Sequence, residues 1–129
     1  MDYSRYRGYM AMTETIVEKT DEQIIALAEP LLQNLLDGAN ALDYEKFSHN
    51  FSHSMKTVMP HELFMEQTIG LQHVRGKCVS RKPLGVLRKN KTALVIWSSQ
   101  YEKTNDDMLI QLKLFFENDK LVISSALIT

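Results

Sequence analysis

From Thr20 onward the apolar residues Ile24, Ile25, Ala28, Leu31, Leu32, Leu35 and Leu36 return at helical spacing, which predicts one amphipathic helix with a broad buried face. Thr20-Asp21-Glu22-Gln23 matches a capping box, in which the threonine oxygen and the Gln23 side chain satisfy backbone donors that the first turn leaves orphaned. Pro30 predicts a kink or a break, because proline lacks the N–H that the helix needs. Gly38 is expected to end the helix. A second, short helix is expected from about Leu42, with Tyr44, Phe47 and Phe51 on one side. Pro60 then opens a third, PHELFMEQTIG, which Gly70 is expected to close.

After Leu71 the period shortens from helical to alternating. Val74 to Lys82 and Leu84 to Arg88 read as two strands around Pro83-Leu84-Gly85. Thr92 to Lys103 is the clearest strand. The turn cluster Thr104-Asn105-Asp106-Asp107 separates it from Met108 to Glu117, and Asn118-Asp119 leads into Leu121 to Ile128. Strands joined by such short polar turns must be antiparallel neighbours. Ala93, Val95, Trp97, Ser99 and Tyr101 share one face, and Leu94 and Ile96 lie on the other. The Trp97 side carries the larger apolar volume and is predicted to meet the helices. A sheet that is apolar on both faces at its middle wants two covers. Helices supply one, and a second subunit is the simplest other, with the N-terminal arm as an alternative. The expectation is a homodimer through the sheet face.

At 129 residues, with 44% hydrophobic and 24% charged residues, the chain suits one domain with one core. Residues 1–19 lack an apolar period and read as an arm bearing Tyr3, Tyr6 and Tyr9; residues 20–129 read as the domain. No apolar run approaches the roughly 20 residues that span a bilayer, and the first dozen residues do not resemble a signal peptide. A cytoplasmic protein without membrane contact is expected. The single cysteine, Cys78, has no partner for an intrachain disulfide and fits a reducing compartment. The sequons at Asn50 and Asn90 are then chance matches.

A net charge of −1 selects no partner, but the distribution is uneven. Acids dominate from Thr13 to Glu66. From Gln67 to Tyr101 there is none, while Arg75, Lys77, Arg81, Lys82, Arg88, Lys89 and Lys91 are present. This basic ribbon lacks interleaved aromatics, so nucleic acid is not the expected partner. A solvated edge hairpin, or complementarity with the acidic helices of a second subunit, accounts for it.

The phrase Asp43-Tyr44-Glu45-Lys46-Phe47-Ser48-His49-Asn50-Phe51, the Gly76-Lys77 and Ser80 that open the sheet, and the order of helices before strands resemble the nuclear transport factor 2-like (SnoaL-like) superfamily. The likeness runs from about Thr20 to Thr129 and is closest to small bacterial members of unassigned function. It implies an α+β cone, with N-terminal helices packed in a strongly curved antiparallel sheet (a cystatin-like roll) and an apolar pocket between them. Members range from polyketide cyclases, dehydratases and ketosteroid isomerase to modules that only bind or oligomerise. Fold by itself therefore does not select an activity.

The enzymes of that superfamily place carboxylates, histidines or tyrosines inside the cone, where burial raises an acid's pKa. Here Glu102, Asp106, Asp107, Glu117 and Asp119 all fall at strand ends or turns. His49 and His53 would share a helix face, but no third ligand accompanies them, and no metal or cofactor is expected. His61 reads as exposed. Cys78 has no triad-like partner and reads as a small core residue. Phe51, Met55, His73, Trp97 and Tyr101 are the candidate ligand-binding residues, and no catalytic residue is assigned. The reading is a non-catalytic module that binds a small apolar ligand or oligomerises. The alternative is an isomerase, dehydratase or cyclase using His73 or Tyr101.

Overall fold

The computed structural model describes residues 15–129. Thr20 caps the first helix as its sequence requires: its side chain accepts from the Gln23 amide while Gln23 Oε1 accepts from the Thr20 amide at 2.9 Å. This helix, α1, runs over Asp21–Ala41 and passes Pro30 and Gly38 without ending. Pro30 and Ala26, whose carbonyl loses its usual partner, are both exposed, so water can replace the missing bond. Gly38 serves contact instead of termination. It is buried, and a β-carbon there would run into the Phe47 nitrogen. Leu42 closes the helix in a left-handed conformation, φ 55°.

The next segment contains two short helices, α2 (Tyr44–Phe47) and α3 (His53–Val58), of which the sequence pattern showed only the first. Asp43 caps α2 and Ser52 caps α3. The turn between them is stitched to the sheet, with the Ser52 amide donating to the Ile123 carbonyl and the Ile123 amide to that of Asn50. α4 spans His61–Arg75 and continues through Gly70, the expected stop. Gly70 is exposed with open space around it, and its flanks are ordinary helix formers. Gly76, at φ 75°, ends the helix in a conformation that side-chain-bearing residues rarely adopt.

Four strands follow in the order β1-β2-β3-β4, all antiparallel: β1 (Cys78–Lys89), β2 (Thr92–Tyr101), β3 (Met108–Glu117) and β4 (Lys120–Ile128). β1 is one strand where two were expected. Pro83-Leu84-Gly85 makes a break of register against β2, not a turn, because a bulge absorbs the extra residue while pairing resumes at Gly85 and Ile96. A second irregularity in β1 and one between β3 and β4 add to it. Such bulges bend strands and deepen the twist, which curls the sheet around the helices. The β1–β2 and β3–β4 hairpins turn on Asn90-Lys91 and Asn118-Asp119, each with positive φ at both residues, as tight hairpins demand.

Ile24, Ala28, Leu32 and Leu35 of α1 pack against Ala93, Val95, Trp97, Ile110, Leu112 and Leu114, all buried. Trp97 is fully enclosed, on the sheet face that meets the helices. Ile16 is also fully buried. The sequence assigns it to the arm, which lacks an apolar period, but a single apolar anchor has no period to show. Arg88 secures the adjoining chain by donating to the Val17 and Lys19 carbonyls and pairing with Asp21 at 2.6 Å. The rest of the arm, including Tyr3, Tyr6 and Tyr9, lies outside the described residues.

These contacts also explain the uneven charge. Arg81 pairs with Glu29 at 2.9 Å and Arg88 with Asp21, so basic β1 is partly the complement of acidic α1 within one chain.

Candidate functional site

The curl of the sheet leaves a half-open cleft of about 190 Å³ at one end of the core. Leu35, Leu36 and Ala39 of α1 form one wall, Phe47 and Met59 a second, and Leu71, Gln72 and Arg75 of α4 a third. Tyr101 at the end of β2, with Ala126 and Ile128 at the end of β4, closes the floor. Helical spacing sets the α4 wall: Gln72 and Arg75 stand three residues apart and share a face. Gln72 Nε2 donates to the Ala39 carbonyl at 2.5 Å and ties α4 to α1. The Tyr44 hydroxyl donates to the Met59 carbonyl at 2.7 Å and holds the chain entering α4.

The electrostatics of the cleft come from two groups. The Arg75 guanidinium lies over the Tyr101 ring, 4.7 Å from its centroid, a cation–π contact. Burial pushes the Tyr101 hydroxyl up to about 12; the adjacent Cys78 adds to the rise and Arg75 partly opposes it. Tyr101 is therefore a neutral phenol under ordinary conditions. The Cys78 thiol donates to the Ser80 carbonyl, and burial raises it above the usual range in spite of Arg81 and Arg75 nearby. A thiol so placed is not primed as a nucleophile.

Of the residues selected from sequence, Tyr101 lines this cleft. Trp97 lies deeper in the core, its indole N–H donating to Glu29 Oε1 at 2.8 Å. Met55 is a core residue, and Phe51 borders a different, mainly polar hollow with His49, His53, Lys56, Glu117 and Lys120. His49 and His53 do not share a helix, since the chain breaks at Phe51-Ser52 before α3 begins. Among the described residues no group of His, Cys, Asp or Glu is placed to hold a metal ion. His73 is exposed on the last turn of α4, and its carbonyl accepts from Lys103 Nζ at 3.3 Å.

Leu36, Leu71, Gln72 and Arg75 were not selected from sequence. The signal available was the stretch from Gln67 to Arg75, which contains helix formers and no turn cluster and so could have carried α4 past Gly70. No known protein family, curated protein or solved structure matches this chain.

Proposed function

We propose that this chain is a non-catalytic domain that binds a small apolar ligand in the cleft between α1, α4 and the sheet end, and that two copies pair through the outer face of the sheet. The observation that carries the reading is the lining itself. Its walls are mainly aliphatic and aromatic, with the neutral polar Asn40, Gln67, Thr68 and Gln72 among them, and among the described residues its only ionisable side chains are Arg75 and Tyr101. Neither exchanges a proton readily near neutral pH, which favours binding over acid–base chemistry. Helices before a four-stranded antiparallel sheet, with an apolar cleft between them, also support the likeness to the nuclear transport factor 2-like superfamily. A cytoplasmic location belongs to the same reading. Among the described residues no helix is long and apolar enough to cross a membrane.

A fitting neutral probe is 3-phenyl-1-propanol. With about ten non-hydrogen atoms and about 0.4 kcal/mol from each, its dissociation constant should be about 1 mM. Amide chemical shifts of Leu36, Gln72 and Ala126 should move in a saturable way. If these amides stay still up to about 10 mM probe, the cleft is not a binding site.

The pairing of subunits rests on the outer sheet face. Leu87 and Leu127 are 59% and 50% exposed, and Leu94 and Ile96 are only partly covered. Light scattering at micromolar concentration should report twice the chain mass of 14.9 kDa. Leu94→Glu should shift the protein toward monomer by setting a charge in an apolar contact. Glutamate is preferred to lysine because Lys113 lies directly across the strand pair. A monomer in the unmodified protein would remove the dimer from the reading.

A further inference from the structure

Among the described residues the cleft holds one full charge. Arg75 reaches it from the last turn of α4, and among the described residues its guanidinium has no carboxylate partner. Arg81 and Arg88 differ: each is paired, with Glu29 and Asp21 respectively. Among the described residues no Asp or Glu lines the cleft. Glu102, next to Tyr101 in the chain, accepts from the Lys77 amide at 2.6 Å. A guanidinium stacked on an aromatic ring still presents its N–H fork edgewise, since stacking uses only the face of the plane. The fork matches a carboxylate in two parallel hydrogen bonds.

Size narrows the ligand further. A cavity of about 150 Å³ in another protein accommodates benzene, so this cleft of about 190 Å³ suits a single ring or a short alkyl chain. We propose that the cleft selects a small amphipathic monocarboxylate, its ring or chain against Leu36, Phe47 and Leu71 and its carboxylate on the Arg75 guanidinium. This rests on the ligand-binding reading above and adds to it the charge of the ligand.

The test compares two probes of one shape, 3-phenylpropionate and 3-phenyl-1-propanol, by calorimetric or NMR titration at neutral pH. The carboxylate should bind about 10- to 100-fold more tightly, the range for hydrogen bonds to a charged group. Arg75→Met keeps the aliphatic stem and removes the fork. In this variant the acid should bind no more tightly than the alcohol measured on the same variant. Arg75→Lys keeps the charge but loses the paired geometry, and should show a reduced preference for the acid. Circular dichroism verifies that each variant is folded, and Arg75→Lys carries the test should Arg75→Met fail to fold. Equal binding of acid and alcohol by the unmodified protein, or an undiminished preference in the folded variants, overturns the assignment and leaves the binding reading standing. Binding of neither probe overturns both.

Discussion

Trp97→Ala should cost about 3–5 kcal/mol of folding stability, the largest loss expected from any single side chain here. The indole is fully enclosed in the core that α1 and the middle of the sheet share, so removing it opens a cavity there. A second cost comes from the polar end. Glu29 Oε1 accepts from the indole N–H at 2.8 Å, while Oε2 of the same carboxylate accepts from Arg81 Nε and Nη2 at 3.1 and 2.9 Å. Loss of the indole strips one donor from a carboxylate that is only partly exposed. Urea denaturation should report the full loss, while Trp97→Phe, which keeps most of the volume, should lose about 1–2 kcal/mol. A cost below about 1.5 kcal/mol for the alanine variant would mean that the site collapses freely around the gap and that the core is not closed there. The fluorescence of the unmodified protein gives an independent reading from its single tryptophan, which should resist quenching by iodide.

The second large effect contrasts two glycines. Alanine is the better helix former by about 1 kcal/mol in a helix interior, so a gain would be expected at both Gly38 and Gly70 on propensity alone. At Gly38 the sign should reverse. A β-carbon there runs into the Phe47 nitrogen and stands 2.5 Å from its Cα and 2.8 Å from its Cβ. Two of those atoms are backbone and cannot swing aside, so α1 and α2 must separate. Overpacking of this kind costs about 1–3 kcal/mol after propensity is credited. Because Phe47 is also a wall of the cleft, Gly38→Ala should weaken probe binding as well. Gly70→Ala meets nothing within 4 Å and should stabilise by about 0.5–1 kcal/mol. Thermal and urea denaturation of the pair decide the matter. If both variants stabilise alike, the close approach of α1 to α2 is wrong.

Those glycines mark the limit of what local sequence signals carry. The capping box at Thr20, the turn at Asn118-Asp119, and the alternation that turns Trp97 toward the helices were all legible. Each involves residues a few positions apart, where hydrogen bonding and side-chain parity act within one element. Helix termination was not legible. Glycine and proline lower helix propensity by an amount that packing can outweigh, and α1 and α4 are held past Gly38 and Gly70 by contacts with Phe47 and by the Gln72 bond to Ala39.

The candidate site depended still more on tertiary structure. Leu36, Phe47, Arg75, Tyr101 and Ala126 come from five separate elements or their ends, and only the curl of the sheet brings them to one opening. Aromatic content along the chain pointed to Trp97 and Phe51, because size and apolarity mark core and cleft residues alike. The difference between enclosing a side chain and lining a cavity lies in where the neighbouring elements stop, which no single segment encodes. The acidic helices and basic first strands were plain in the sequence. That Glu29 meets Arg81 and Asp21 meets Arg88, leaving Arg75 over Tyr101 with no acid partner among the described residues, was decided by the register of α1 against β1. Long-range pairing of charges follows from the fold, since Coulomb attraction acts on distance in space and not along the chain.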